Sequence, residues 1–306
     1  MKINQFLSLA SATLATLSIL AVSSRGQGQQ DYSKVQIKAN KVSANFHTLD
    51  GQGGTIGVLS GPDGVFMVDT QFAPLTEKIV AAVKQITDRP IRFVVNTHVH
   101  VDHTGGNENL GKMGVAILSR DELRYRLAHP ATAANGKAGT PAPAPALPMI
   151  TYRGPVTFHM NGEDIELIPI RAAHTDGDTL VRFVNNDILM TGDFYRSIQF
   201  PNIDRANGGT LDGMLEGLGT VIGRAGPNTK IIPGHGPTVD RNAVVAHRDM
   251  TLAIRDRIAA LVAQGKSQEE VIAAKPTADY EGKVQQAAMT GERFVGQVYA
   301  ELKAAK

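Results

Sequence analysis

Cysteine and tryptophan are both absent from the 306 residues. Without cysteine there is no disulfide, no thiolate nucleophile, no cysteine-rich zinc finger and no lipoprotein anchor, so any metal site has to be built from histidine and carboxylate side chains. An excess of charge is lacking too. Lys and Arg number 31 against 29 Asp and Glu, a formal charge of +2, and the basic residues are scattered, which removes the electrostatic footprint of a nucleic-acid partner. No apolar stretch long enough to span a bilayer follows residue 22, which excludes a multi-span membrane protein. No repeat of fixed period is present. With 42% hydrophobic and 20% charged residues, the chain has the composition of an ordinary globular protein that buries a core without staples, as one large α/β domain or two small ones.

What is present begins with a leader. Met1-Lys2 precedes an apolar stretch from Phe6 to Val22 broken only by Ser and Thr, and the polar run Ser23-Ser24-Arg25-Gly26-Gln27 follows. Ala21 and Ser23 are small residues two apart, so the pattern predicts a signal peptide over residues 1–23 and a flexible tail over 24–33. The competing reading is an uncleaved N-terminal anchor at the lower edge of spanning length. Cleavage implies export, periplasmic in a Gram-negative source and secreted otherwise, with no integral membrane segment left.

A single domain over 34–306 follows, in two β-rich halves. The first predicts strands at Val35–Lys38, Val42–Thr48, Gly54–Ser60 and Val65–Asp69 between glycine-rich turns, then a helix over Leu75–Ile86 and a short buried strand at Ile91–Val95. A loop over 96–107, a strand at Val115–Leu118 and a charged helix at Arg120–Leu127 complete it. Residues 130–148 are rich in Pro and Ala and read as a loop joining the halves. The second half predicts strands at Val156–Met160, Ile165–Ile170, Leu180–Phe183, Ile188–Met190 and Lys230–Ile232, with helices at Leu211–Ile222 and Val239–Gln264. A capping box at Ser267–Glu270 opens a short helix, and a terminal helix spans Glu292–Lys306. Two such halves predict two packed sheets with helices outside.

The chemistry concentrates in one segment, Thr97-His98-Val99-His100-Val101-Asp102-His103-Thr104-Gly105-Gly106-Asn107. Four potential ligands lie within six residues at a predicted strand end. A turn there can aim His98 and His100 at one metal and Asp102 and His103 at a second. His174, Asp193 and His235 stand at the ends of other predicted strands beside glycines, so strand-end loops can gather seven N/O ligands at one sheet edge without cysteine. That donor mix suits zinc best, and iron or manganese also accept it. His47, His129, His159 and His247 lack such context and read as surface or packing residues. His47 precedes the turn Asp50-Gly51-Gln52-Gly53-Gly54, a candidate flap over the site.

The ordered set T-H-x-H-x-D-H, A-H-T-x-G-D, T-G-D and P-G-H-G resembles the metallo-β-lactamase superfamily, over roughly residues 34 to 265. The resemblance implies a four-layer αββα sandwich with a dinuclear site at one sheet edge. It implies that His98, His100 and His174 bind one zinc, that Asp102, His103 and His235 bind another, and that Asp193 bridges them. Asp69, ending a strand, matches a position that supports the metal loop from behind. The gaps of 19 residues from His174 to Asp193 and 42 from Asp193 to His235 resemble B1-type β-lactamases, whose middle ligand is cysteine. Asp193 in that place, and His103 after Asp102, resemble glyoxalases, lactonases and B3-type lactamases instead. Three residues after Asp193 stands Arg196, where B1-type enzymes place a cation that grips the substrate carboxylate; Tyr195 and Arg196 are therefore expected to orient the substrate.

The function expected is hydrolysis of a small molecule by a metal-bound hydroxide on two Zn2+, without Ser or Cys as nucleophile and with Asp102 available to return the proton. The leading substrate is a β-lactam. Within hydrolases the rival is a lactone or another ester or thioester; from a different class, the rival is a mononuclear iron oxygenase acting on sulfur compounds. No protein partner is implied.

Overall fold

In a computed structural model, residues 31–132, 136, 138–287 and 290–304 are described. The expected signal peptide, most of the expected tail and part of the Pro/Ala-rich loop lie outside them. The glycine-punctuated segments pair as antiparallel neighbours: β1 (Lys38–Lys41), β2 (Phe46–Asp50), β3 (Ile56–Gly61) and β4 (Gly64–Val68). Helix α1 (Thr76–Ile86) then crosses to β5 (Ile91–Val95). Two short helices, α2 (Val101–Thr104) and α3 (Asn107–Lys112), cross to β6 (Ala116–Arg120), and α4 (Asp121–Ala128) with the long loop crosses to β7 (Ile150–Tyr152). Strands β4 to β7 are parallel, and all seven lie in sequence order in one sheet.

The second sheet is an antiparallel run of β8 (Val156–Met160), β9 (Glu163–Pro169), β10 (Thr179–Phe183) and β11 (Ile188–Met190). After α5 (Leu211–Arg224), β12 (Lys230–Ile232) adds in parallel to β11. The chain ends in α6 (Arg241–Ala263), α7 (Gln268–Ala273), α8 (Ala278–Glu281) and α9 (Thr290–Ala304). Ser267 and Glu270 form the expected capping box at α7.

Side chains alternate across a strand, so one strand feeds two cores when both of its faces are covered. In β4, Phe66 and Val68 enter the cluster between the sheets while Val65 and Met67 pack under α1 with Ile79 and Val83. In β11, Ile188 and Met190 face the inter-sheet core and Leu189 faces the layer of α5, α6 and α9. Three stacked cores and four layers follow, the expected αββα sandwich.

Several expectations shift in detail. β1 starts at Lys38 rather than Val35, β7 lies where no strand was expected, and α8 is additional. β5 is buried only at Val94 and Val95, because its first half ends beside solvent, where Arg92 lies over the Phe93 ring. The expected loop at 96–107 contains α2 and the start of α3. Its ligand-bearing residues follow the geometry of the site rather than an apolar period, so no helical signal survives in the sequence.

The parallel relations place the ends that matter on one edge. The C-terminal ends of β4, β5, β9, β11 and β12 and the β2–β3 turn all open there, and these are the segments carrying the histidines and aspartates. His247, by contrast, sits on α6 with its Nε2 enclosed and without a hydrogen bond, its ring edge-on to Tyr195. Burial lowers its pKa to about 4. A depressed folded-state value means that stability is complete above the unfolded value near 6.5 and is lost as pH falls toward 4. In chelator-treated protein, His247→Leu should gain on the order of 2–3 kcal/mol over wild type at pH 4.5 relative to pH 7, read by urea unfolding at both pH values. A gap independent of pH would show that this imidazole is solvated.

Candidate metal centre

The site is assembled on Asp69. This residue ends β4 in a left-handed conformation, φ 64°, that turns its carboxylate into the protein. Its Oδ1 accepts the Thr97 backbone N–H at 2.7 Å, and its Oδ2 accepts the Thr97 hydroxyl at 2.8 Å and His103 Nδ1–H at 2.7 Å. One buried carboxylate thereby holds both ends of the 97–103 loop, and it fixes His103 with Nε2 turned inward. Two glycines make the remaining approach possible. A Cβ at Gly54 would overlap the His103 ring, and one at Gly234 would overlap Asp193 Oδ1. The glycine of each motif is thus a steric requirement of the neighbouring side chain.

Two groups result, each of which could hold a metal ion: His98, His100, His174 and Asp193, and Asp102, His103, His235 and Asp193. Within each, the candidate ligand atoms lie within 4.8 Å of one another. Asp193 belongs to both, with one oxygen for each. Its Oδ2 lies 3.6 Å from His98 Nε2 and 3.8 Å from His174 Nε2, while its Oδ1 lies 3.3 Å from His103 Nε2 and 3.4 Å from His235 Nε2. His235 Nε2 is 3.1 Å from Asp102 Oδ2.

The outer nitrogens of His100, His103 and His174 are tied to partners, which orients the inner ones. His174 Nδ1 donates to the Asn202 carbonyl at 2.6 Å. His100 Nε2 meets Asp204 Oδ2 at 2.7 Å, so His100 presents Nδ1 inward, 2.9 Å from His174 Nε2. Asp178, buried, accepts from the His174 and Thr175 backbone N–H groups and the Thr175 hydroxyl, locking that loop. Inside the cluster, His98 Nε2 and both oxygens of Asp193 are buried and make no hydrogen bond. Unsatisfied, inward-facing donors of this kind are what metal cations require, and the residues present fit a pair of them.

The electrostatics agree. Burial pushes the pKa of His98 well down and that of His174 to about 3, which keeps both imidazoles neutral and able to ligate. Burial alone would raise the pKa of Asp193, but the charges of His103 and Arg196 hold it well below the carboxylate range. Burial would lower the pKa of His103, yet Asp193 and Asp69 on either side raise it. Positive charge is favoured between these carboxylates.

All seven residues expected as ligands converge here, and Asp69 lies behind them as expected. The two residues expected to orient the substrate do not. Tyr195 is 2% exposed in the core beneath α6, with burial raising its pKa beyond the ordinary tyrosine range, so its ring is packing and not a substrate contact. The turn Gly192–Phe194 is followed by extended backbone at Tyr195, which directs that side chain inward. Arg196 is near the cluster but committed: Nη2 pairs with Asp193 Oδ2 at 2.9 Å, Nη1 donates to Gln199 at 2.7 Å, and Nε is enclosed. It neutralises Asp193 and does not reach outward. His47 is half-buried in β2, whereas the turn beyond it does touch the site, Gly54 N–H donating to the Asp102 carbonyl. His129 and His159 bond elsewhere, to the Tyr125 carbonyl and to Asp164. Asn202 and Asp204 escaped sequence reasoning, because they lie in an irregular loop with no spacing signal.

The sequence profile of the metallo-beta-lactamase superfamily matches residues 49–243. The chain belongs to this superfamily. A metallo-beta-lactamase type 2 from Bacillus cereus is 23% identical over 194 residues, covering 63% of this chain and 71% of its own. Among solved structures, a metallo-beta-lactamase from Pontibacter korlensis superposes with a TM-score of 0.57 at 22% identity, over 71% of this chain and 99% of that one. A stereoselective inverting sec-alkylsulfatase from Pseudomonas sp. superposes with a TM-score of 0.65 at 16% identity, over 86% of this chain and 50% of that one. The superfamily is one of metal-dependent hydrolases acting on small molecules, and these structural likenesses establish the fold.

The outer partners give a prediction that separates the two groups. Asp204→Ala should weaken added zinc in one site and Asp69→Ala chiefly in the other, each by about 10- to 100-fold, while Tyr195→Phe leaves both untouched. Competition with a chromophoric chelator reads each stoichiometric step, and an equal loss at both sites from either variant would break the assignment of partners.

Proposed function

We propose that the chain is an exported, dinuclear zinc hydrolase that opens β-lactam rings. The observation that carries the hydrolase reading is the placement of Asp193, with one carboxylate oxygen toward each of two complete His/Asp groups. Two complete groups favour a dinuclear centre over the mononuclear iron alternative, which would leave Asp102, His103 and His235 without a role. Zinc suits a set of imidazoles and carboxylates gathered in groups of four, although iron and manganese accept the same donors. Held by these two groups, such cations would lower the pKa of bound water from about 16 toward about 7 and polarise a carbonyl, which is the chemistry of an amide or ester hydrolase.

The protein's own side chains set direction and protonation. His98, His103, His174 and Asp193 are sealed from solvent, whereas the side chains of His100, Asp102 and His235 are 28%, 22% and 19% exposed. Substrate therefore approaches over His100, Asp102 and His235. The hydrogen bond from His235 and the His103 charge outweigh burial and hold the Asp102 pKa at about 2, so it stands ionised at the mouth. It can take a proton from the attacking water and pass it to the departing nitrogen. Arg196 keeps Asp193 anionic. The β-lactam itself is taken from the named activity of the Bacillus cereus and Pontibacter korlensis proteins.

A second reading is hydrolysis of a sulfate ester. It is favoured by coverage: the sec-alkylsulfatase structure accounts for 86% of this chain against 71% for the lactamase, so its likeness extends further along the chain. A lactone or thioester substrate would use the same side chains.

The test is turnover by full-length protein of a chromogenic cephalosporin, an acyl lactone and a secondary alkyl sulfate, each with EDTA and with added zinc. Cephalosporin hydrolysis should vanish with EDTA, return with zinc, and fall by at least about 1,000-fold in Asp193→Ala. Turnover of the sulfate or the lactone alone would transfer the assignment to that substrate. No zinc-dependent turnover of any of them would sink the hydrolase reading.

A further inference from the structure

A cleft of about 610 Å3 begins at His100 and runs along the C-terminal helix, lined by Asn202, Asp204, Arg205, Arg293 and Gln297 among others. Its far wall is α9, which is anchored against the loop that orients the candidate metal ligands. Phe294 stacks on Phe200, Gln297 Oε1 accepts the Ile203 N–H at 3.0 Å, and Gln297 Nε2 donates to Asn202 Oδ1 at 3.0 Å. Arg293 lies one turn before Gln297, on the same helix face. Helix α9 also lies outside the 49–243 region shared across the superfamily.

Arg293 is unusual. Its Nε and Nη2 are buried and make no hydrogen bond, and among the described residues neither Arg293 nor Arg205 has an ion-pair partner. Of the carboxylates on the cleft, Asp204 is engaged by His100 and Asn207, and Glu292 is exposed at the rim. Burial, with the charge of Arg196 nearby, lowers the Arg293 pKa, but a guanidinium remains protonated at any working pH. Its remaining nitrogen, Nη1, also makes no hydrogen bond and is the one not closed off from solvent, so a guanidinium without an ion-pair partner presents an N–H donor at the cleft wall. That N–H can donate a charge-assisted hydrogen bond to an oxygen of a carboxylate or sulfate.

We propose that Arg293 binds the anionic group of the substrate, a carboxylate or sulfate oxyanion, in this cleft beside His100, with Arg205 adding charge at the rim. Describing the anion as part of a substrate rests on the hydrolase reading; the anion site itself does not. With Arg196 committed to Asp193, this site would supply the cation for a charged substrate. It also makes the C-terminal helix a specificity element: the bond to be cleaved lies over the His/Asp groups while the charge is held one cleft away.

The test uses full-length protein, zinc-loaded and chelator-treated, titrated with sodium sulfate and with sodium benzoate by calorimetry, together with Arg293→Gln, Arg293→Lys and Arg205→Gln. Saturable binding of at least one anion is expected, weakened tenfold or more in Arg293→Gln, partly restored in Arg293→Lys, and weakened no more than about threefold in Arg205→Gln. Without anion, the thermal midpoint of Arg293→Gln should be unchanged or raised, since two unmet donors are removed; a structural brace would lower it. Preference for benzoate points to a carboxylate-bearing substrate and preference for sulfate to a sulfate ester. If no zinc-dependent turnover is found but Arg293-dependent binding persists, the hydrolase reading fails and the anion site stands. No saturable binding, or equal binding by wild type and Arg293→Gln, overturns the proposal, as does a fall in midpoint without loss of anion affinity.

Discussion

The Asp193 carboxylate, buried and without a hydrogen bond of its own, is the constraint on which the rest of the structure depends. A carboxylate taken out of water destabilises the fold by several kcal/mol unless positive charge surrounds it. Here His103 and His235 face one oxygen, and Arg196 pairs with the other, which the neutral His98 and His174 also face. Every one of these groups comes from a strand-end loop, and Arg196 from three residues further along the same turn. Their convergence is therefore a property of the whole sandwich, which brings the ends of β5, β9, β11 and β12 to one edge.

That convergence is held by carboxylates a layer further out. Asp69 fixes His103 and Thr97, Asp204 fixes His100, and Asp178 fixes the backbone at His174. Each turns a flexible loop into a defined ring orientation, and none is free to move without releasing a histidine of the cluster. The four layers supply the apolar burial that offsets this concentration of charge. At about 25 cal/mol per Å2 of apolar surface removed from water, three stacked cores can carry a polar edge that a single small core could not.

The histidine run was legible because four donors within six residues at a strand end serve little purpose apart from holding metal, and the strand-end positions of His174, Asp193 and His235 completed it. The layers were legible from apolar runs such as Val65–Val68, buried on both faces. What stayed hidden shares a physical reason. Sequence adjacency to Asp193 said nothing of side-chain direction, so Tyr195 and Arg196 were expected at the substrate when one enters the core and the other turns back. Asp204, Asn202 and Arg293 carry no spacing signal, since irregular loops and a distant helix reach the site only through tertiary packing. The helices α2 and α3 were hidden because the residues that form them obey the site rather than an apolar period.

The loop from Arg196 to Asp204 is where these demands meet. Its start neutralises Asp193, its end orients His174 and His100, and its middle is stacked beneath Phe294 of α9. A polar chain from Arg196 through Gln199 to Gln286 ties it to the segment before that helix. The C-terminal helices are therefore more than a cover for the second sheet: they hold the loop that orients two of the five histidines in the cluster. Strain and unmet donors persist only where the surroundings over-determine them. In this molecule buried N–H groups without a hydrogen bond stand at the start of that loop, Arg196 Nε, and on the helix behind it, Arg293 Nε and Nη2.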